Sequence, residues 1–328
     1  MEKQNDMLLQ VKDLRVYYTA GGEIINAVNG VDLEVRRGET LGLVGETGAG
    51  KTTIAKSIMR ILPDPPAKIG GGEIYLDGQE LLHLPEKKMQ EIRGKKISMI
   101  FQDPMTALNP VFTVGEQIEE VIMLHEKVNR GEAAVKARQM LELVGIPGDR
   151  SGDYPHQVSG GMKQRVVIAM ALACSPELIL ADEPTTALDV TIQAQILDMI
   201  KALKEKQNTS MILITHDLGV VAEVCDRVAV VYAGEIIEYG TKEEIFDYPT
   251  HPYTVGLFGS IPKIHEDVEW LDSIPGMPPN PADLPSGCHF HPRCSKCTQP
   301  CGEKAPEMVE VRPGHFVRCL NCTEKKES

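Results

Sequence analysis

A glycine loop ending in a lysine and two hydroxyls, Gly45, Glu46, Thr47, Gly48, Ala49, Gly50, Lys51, Thr52 and Thr53, follows the apolar run TLGLV and opens a helix-compatible stretch from Lys51 to Ile61. That pattern builds a phosphate cradle. Gly45 and Gly50 can take backbone conformations closed to other residues, so successive N–H groups turn inward at a helix N-terminus, where the dipole favours anions. Lys51 is placed to reach the outer phosphates, and Thr52 offers a hydroxyl to Mg²⁺, a hard cation that prefers oxygen. A nucleoside triphosphate fits these groups. Further along, LILADEP ends a buried-strand pattern in two carboxylates, Asp182 and Glu183. Open parallel sheets bind ligands at that strand edge. Asp182 suits Mg²⁺, directly or through water, and Glu183 suits taking a proton from a water that attacks the γ-phosphate. In VSGGMKQR, Ser159, Gly160 and Gly161 precede a helix and offer a second anion site. One chain does not need two, so the economical arrangement is a dimer in which Ser-Gly-Gly of one chain closes over the γ-phosphate gripped by another.

The elements that position these groups are read from periodicity. LLQVKDLRVYY, AVNGVDLEV and TLGLVG alternate as strands, PDPPAKIGGG reads as a turn-rich break, and EIYLDG and ISMIFQ read as further strands. Val114 to Val144 carries apolar residues at helical spacing, a helical insertion. MKQRVVIAMALAC and IQAQILDMIKALKEK predict helices that alternate with the buried strands LILAD and MILIT, the pattern of a mainly parallel sheet with crossover helices. A hairpin is expected over RVAVVYAGEIIEYG, and Thr241 with Glu244 forms a capping box for a short helix.

With 328 residues the chain has room for one large domain and a smaller appendage. Its net charge of −13 argues against gripping nucleic acid as the main task. No run of 18 or more apolar residues predicts a membrane span, and MEKQNDMLLQ lacks the basic start and apolar centre of a secretory signal, so a reducing cytosol is expected.

Taken in order, the cradle at 45 to 53, Gln102 after ISMIF, Ser159-Gly160-Gly161, Asp182-Glu183, Ala187-Leu188-Asp189 and His216 after MILIT resemble the ATP-binding subunits of ABC transporters over roughly residues 7 to 250. The fold this resemblance implies is a P-loop α/β domain with a mainly parallel core, an antiparallel β subdomain and a helical insertion at about 103 to 160. By the same resemblance Gln102 would touch Mg²⁺ or the attacking water, His216 the γ-phosphate, Asp189 the dimer seam, and Tyr18 the adenine. Tyr17 adjoins Tyr18, and one of two neighbouring strand side chains faces the site. Val158 and Met162 depart from the commonest signature and leave the Ser-Gly-Gly contacts intact. HPYTVGLFGSIP, the proline-rich stretch after it and GCHFHPRC resemble the C-terminal extension, here 251 to 328, of dipeptide, oligopeptide and nickel importer ATPases. The implied activity is ATP hydrolysis coupled to import, on the cytoplasmic face of the membrane. Implied partners are transmembrane permease subunits, a second ATP-binding subunit and, indirectly, an external solute-binding protein. A soluble ABC ATPase of nucleic-acid or translation metabolism is the alternative, disfavoured by the acidic balance and the single cradle.

Six of the eight cysteines lie within the last 41 residues, a tail too poor in apolar runs for its own core. Cys294, Cys297, Cys319 and Cys322 form two CxxC pairs 21 residues apart, close to a zinc-ribbon spacing. Cys288, Cys294, Cys301 and Cys319 match, by resemblance, the importer-tail cysteines that in some members carry a [4Fe–4S] cluster; this second set is preferred, with Zn²⁺ kept open. Either metal would staple the extension, and a redox sensor is a further reading of the same thiols. His289, His291 and His315 are expected at the surface or in turns, Cys174 and Cys225 as packing thiols.

Overall fold

The computed structural model describes residues 6–186, 189–259 and 274–323. Ala187, Leu188 and the end of HPYTVGLFGSIP lie outside them. The chain divides into two compact units, one built on residues 83–214 with two short N-terminal pieces, the other on 8–34, 41–82 and 215 onward.

In the first unit three parallel strands, Ile97–Ile100, Leu178–Asp182 and Ser210–Ile214, pair with Leu178–Asp182 in the middle. Their residues are almost wholly buried, as strands covered on both faces require. The expected insertion is present, but its helical run breaks into two helices, Val114–His125 and Arg130–Leu143. Each starts at a complete capping box, Thr113 with Glu116 and Asn129 with Glu132, which makes the break at Glu126–Asn129 cheap. The helix Gly160–Leu172 packs Val166, Ile168 and Leu172 inward. The longest helix, Val190–Gln207, ends where Asn208 turns left-handed at φ 52°.

In the second unit an antiparallel sheet runs in the order Glu23–Arg36, Met7–Ala20, Ala67–Leu76, Gln79–Glu80. Here the sequence reading is corrected: AKIGGG is the first half of a ten-residue strand and not a break. Gly72, at φ +101°, sits where Met7–Ala20 slips register, and a Cβ there would stand 2.6 Å from the Asp13 carbonyl. Gly72 therefore admits a close backbone approach, the strand use of glycine that resembles a turn signal in sequence. Strand Thr40–Val44, which feeds the cradle, pairs in parallel with Arg227–Tyr232. The expected hairpin follows, Arg227–Tyr232 to Glu235–Thr241, through Ala233 and Gly234, both at positive φ.

The cysteine-rich tail contributes a second hairpin, Val309–Arg312 and His315–Val317, whose inner strand pairs with Glu235–Thr241. His315 is fully buried there and not at the surface: its Nε2 lies 2.8 Å from Glu238 and its Nδ1 3.3 Å from Glu244. That pairing also explains why only half of the capping box at Thr241 is made. Thr241 accepts from the Glu244 amide, while the Glu244 carboxylate turns to His315 and Arg312. Among the described residues no helix is long and apolar enough to cross a membrane.

Candidate functional site

The cradle is shaped by glycines that no other residue could replace. Gly45 lies at φ +148° with a notional Cβ 2.1 Å from the Val231 carbonyl, and Gly50 at φ +102° with one 2.4 Å from the Ala27 carbonyl. Gly50 then caps the helix Lys51–Met59 without any side-chain hydrogen bond, so the first N–H groups of that helix face the loop. Lys51 is buried, and its ammonium donates to the carbonyls of Gly45 at 2.6 Å and Glu46 at 3.0 Å. The loop is thus wrapped around a cation. Thr52 follows on the first turn, and Thr53 lies 3.3 Å from the Tyr18 hydroxyl. Tyr18 therefore lies on the cradle side of strand Met7–Ala20, whereas the Tyr17 ring covers Gly70 on the neighbouring strand. His216, exposed, follows strand Ser210–Ile214 by two residues.

In the other unit, Asp182 ends the middle parallel strand and is almost wholly buried. Glu183 follows with φ +46°, a strained conformation for a residue with a side chain. Its amide donates to the Ile214 carbonyl, and its carboxylate accepts from Gln102 Nε2 and Thr186 Oγ1, both at 2.8 Å. Gln102 and Glu183, 81 residues apart in sequence, are thereby brought together. Thr186, which sequence reasoning missed, helps to aim the carboxylate; only its place two residues beyond the Glu-Pro turn could have drawn attention to it. Gln164, from the helix behind Ser159, donates to the Pro184 carbonyl at 2.6 Å and ties that helix to the same turn.

Ser159 caps the helix Gly160–Leu172 by accepting from the Met162 amide at 3.3 Å. Ser159 and Gly160 are exposed, with nothing within 4 Å of a Cβ at Gly160. Asp189, also exposed, caps Val190–Gln207 by accepting from the Ile192 amide at 2.9 Å.

Among the tail cysteines the Cys288 amide donates to the Cys301 carbonyl at 2.8 Å, and the Cys297 amide to the Cys294 carbonyl at 3.2 Å. Among the described residues no three His, Cys, Asp or Glu side chains form a group that could hold a metal ion, so the expected metal staple is not supported. Burial pushes the Cys288 thiol up to about 11, and the charges of Cys319, Cys301 and Cys294 push the same way. Cys294 is raised by burial and then by Cys319, Cys297 and Cys301. Cys319 is held below the ordinary thiol range by a hydrogen bond from Cys322. Of the two packing thiols, Cys225 is buried, while Cys174 is half-buried and raised to about 11 by that burial.

The comparisons with known proteins agree with this geometry. Residues 28–186 match the ABC transporter family and residues 237–301 the oligopeptide/dipeptide transporter C-terminal region. The oligopeptide transport ATP-binding protein OppD of Bacillus subtilis (strain 168) is 52% identical over 314 residues, covering 95% of this chain and 88% of that protein. OppD of Escherichia coli (strain K12) is 47% identical over 326 residues, 99% of this chain and 96% of its own. Among solved structures, the dimeric ATP-binding cassette MJ0796 bound to ADP and Pi superposes with a TM-score of 0.65 at 30% identity, over 72% of this chain and 99% of that one. On its cradle, its paired carboxylates and these matches over nearly its whole length, the chain belongs to the family of ABC transporter ATP-binding proteins that carry the oligopeptide/dipeptide transporter C-terminal region.

Proposed function

We propose that the chain hydrolyses ATP to drive import of dipeptides or oligopeptides, as a peripheral subunit on the cytoplasmic face of the membrane. The observation that carries this reading is the coexistence of a lysine-filled phosphate cradle with a C-terminal region of the oligopeptide/dipeptide transporter type. It works with transmembrane permease subunits, a second ATP-binding subunit and, through the permease, an external solute-binding protein. Residues 45–53 would hold the phosphates of ATP and Tyr18 its adenine, and Thr52, Asp182 and Gln102 are the residues that would hold Mg²⁺. Hard oxygen donors of this kind fit Mg²⁺, which neutralises phosphate charge when bound. Glu183 takes the proton of the attacking water, helped by His216 and Gln102. Ser159, Gly160, Gly161 and Asp189 act on the nucleotide of the partner subunit; the exposure of Ser159 and Gly160 supports that role. Glu183→Gln is expected to lose about 10² to 10⁴ in turnover while still binding ATP. ATP-dependent peptide uptake that survives in that variant would overturn the assignment.

The extension from 251 onward carries, in this reading, a [4Fe–4S] cluster on Cys288, Cys294, Cys301 and Cys319, with Zn²⁺ the alternative. Support comes from the crowding of six cysteines into the last 41 residues and from the likeness of these four positions to the importer-tail cysteines. The cluster would staple a segment poor in apolar residues. Freshly purified protein should be brown, with absorption near about 400 nm that Cys301→Ser removes. A colourless protein containing one equivalent of zinc would reverse the choice.

A further inference from the structure

Arg293 lies in the tail, on the short turn His291–Arg293 between Cys288 and Cys294, yet its guanidinium reaches the phosphate cradle. Nη1 and Nη2 donate to the two carboxylate oxygens of Glu46 at 2.8 and 3.0 Å, a bidentate pair. Nε donates to the Pro275 carbonyl at 3.0 Å, and Nη1 also lies 3.4 Å from the Tyr232 hydroxyl. The Arg293 side chain is only 6% exposed and that of Glu46 27%. Glu46 is gripped a second time: its backbone amide donates to the hydroxyl of Tyr253, 2.9 Å away, from the HPY string of the same tail. Tyr253, Tyr232 and Phe290 stack edge and face around this point, with ring centroids 4.7 to 5.5 Å apart. A cavity of about 220 Å³ flanks the cradle residues 46–49 and is walled by Pro278, Pro279 and Pro281 of the tail.

Glu46 is a carboxylate at the second position of a loop built to hold a polyanion. Left alone it would repel phosphate, and the half-buried charge would draw the loop out toward water. Arg293 removes both problems with one contact: it neutralises the carboxylate and fixes the loop's entry. We infer that Arg293 is a positioning residue for nucleotide binding, through which the C-terminal extension sets the affinity of the phosphate cradle. The inference rests on the reading of residues 45–53 as the ATP site.

The test is ATP hydrolysis by the full chain in its assembled transporter. Arg293→Met should raise the KM for ATP about tenfold, the worth of a charge-assisted pair, with kcat changed by less than about twofold. Adding Glu46→Gln to Arg293→Met should bring KM back toward the wild-type value, because the uncompensated charge is gone; a merely structural loss would not be rescued this way. Arg293→Lys, which keeps the charge and loses the fork, should fall between, and it decides the matter if the methionine variant does not fold. Wild-type KM in Arg293→Met or Arg293→Lys, or a double variant no better than Arg293→Met, overturns the inference. Lys51→Ala separates the two levels: if it leaves ATP binding intact, the cradle reading itself fails, whatever Arg293 does.

Discussion

The two helix N-termini to which the proposed function gives a nucleotide are built in opposite ways. The cradle before Lys51–Met59 is enclosed: Gly45 and Gly50 are pressed against the backbones of Val231 and Ala27, Lys51 is buried within the loop, and Glu46 is clamped by Tyr253 and Arg293. The Ser159 terminus is bare. Its hydroxyl closes its own helix through the Met162 amide, Gly160 meets nothing, and both residues face solvent. In the proposed reading the difference has a reason: a site that holds a ligand within its own chain is packed from behind, whereas one offered to a second chain stays open until that chain arrives. Glycine serves both ends for different reasons. At Gly45 and Gly50 it permits a backbone conformation; at Gly160 it keeps the surface low.

That contrast can be broken at either end, and the cradle should break harder. Gly45→Ala places a methyl 2.1 Å from a carbonyl at φ +148°, so the loop has to move. A displacement of this kind is expected to cost ATP affinity by about 10³-fold in a solitary protomer, read by nucleotide titration. An unchanged dissociation constant would mean that the loop binds nucleotide without the backbone shape that Gly45 permits.

Gly160→Asp sharpens the other side. Its side chain has room, so the fold and the ATP affinity of the solitary protomer should be those of the wild type. Opposite a partner's γ-phosphate, however, the new carboxylate adds repulsion at the helix end that should attract anions, and ATP-dependent dimerisation and turnover should drop about 10²-fold. Analytical centrifugation with and without ATP reads the first effect. A variant that still dimerises on ATP would leave the open terminus without the role proposed for it.

The cradle, the carboxylate strand and the signature helix were legible in sequence because each is local: a glycine string, an apolar run with its ending, a serine before a helix. What escaped was set by contacts between distant residues. The first half of strand Ala67–Leu76 hid behind three glycines, of which Gly72 serves a close approach to Asp13 and Leu14 that exists only once two strands pair. His315 read as a turn residue because a lone histidine beside Pro-Gly carries no sign of Glu238, 77 residues away. Arg293 read as part of a cysteine string because nothing in HPRC points to Glu46, 247 residues earlier. The two capping boxes of the insertion, by contrast, were present as Thr-x-x-Glu and Asn-x-x-Glu, and a stricter reading of helix starts would have split the run.

The smallest effect concerns how the tail is held against the cradle's support. His251 is wholly buried, its Nδ1 accepts from the Tyr253 amide at 3.0 Å, and its own amide donates to Glu238 at 2.8 Å. Burial holds its pKa down to about 4, with Glu238 opposing the shift. Folded, the ring therefore stays neutral where the unfolded chain would take up a proton. The stability it contributes is present above pH of about 6.5 and drains away as pH falls toward about 4, amounting to a loss of about 2 kcal/mol at pH 5. Denaturant unfolding at pH 7 and pH 5 measures this. Replacing His251 with Gln, whose amide does not titrate, should weaken the chain at both values but flatten the difference between them by that amount. If the drop between pH 7 and pH 5 is as steep in the variant as in the wild type, the acid sensitivity belongs to other groups.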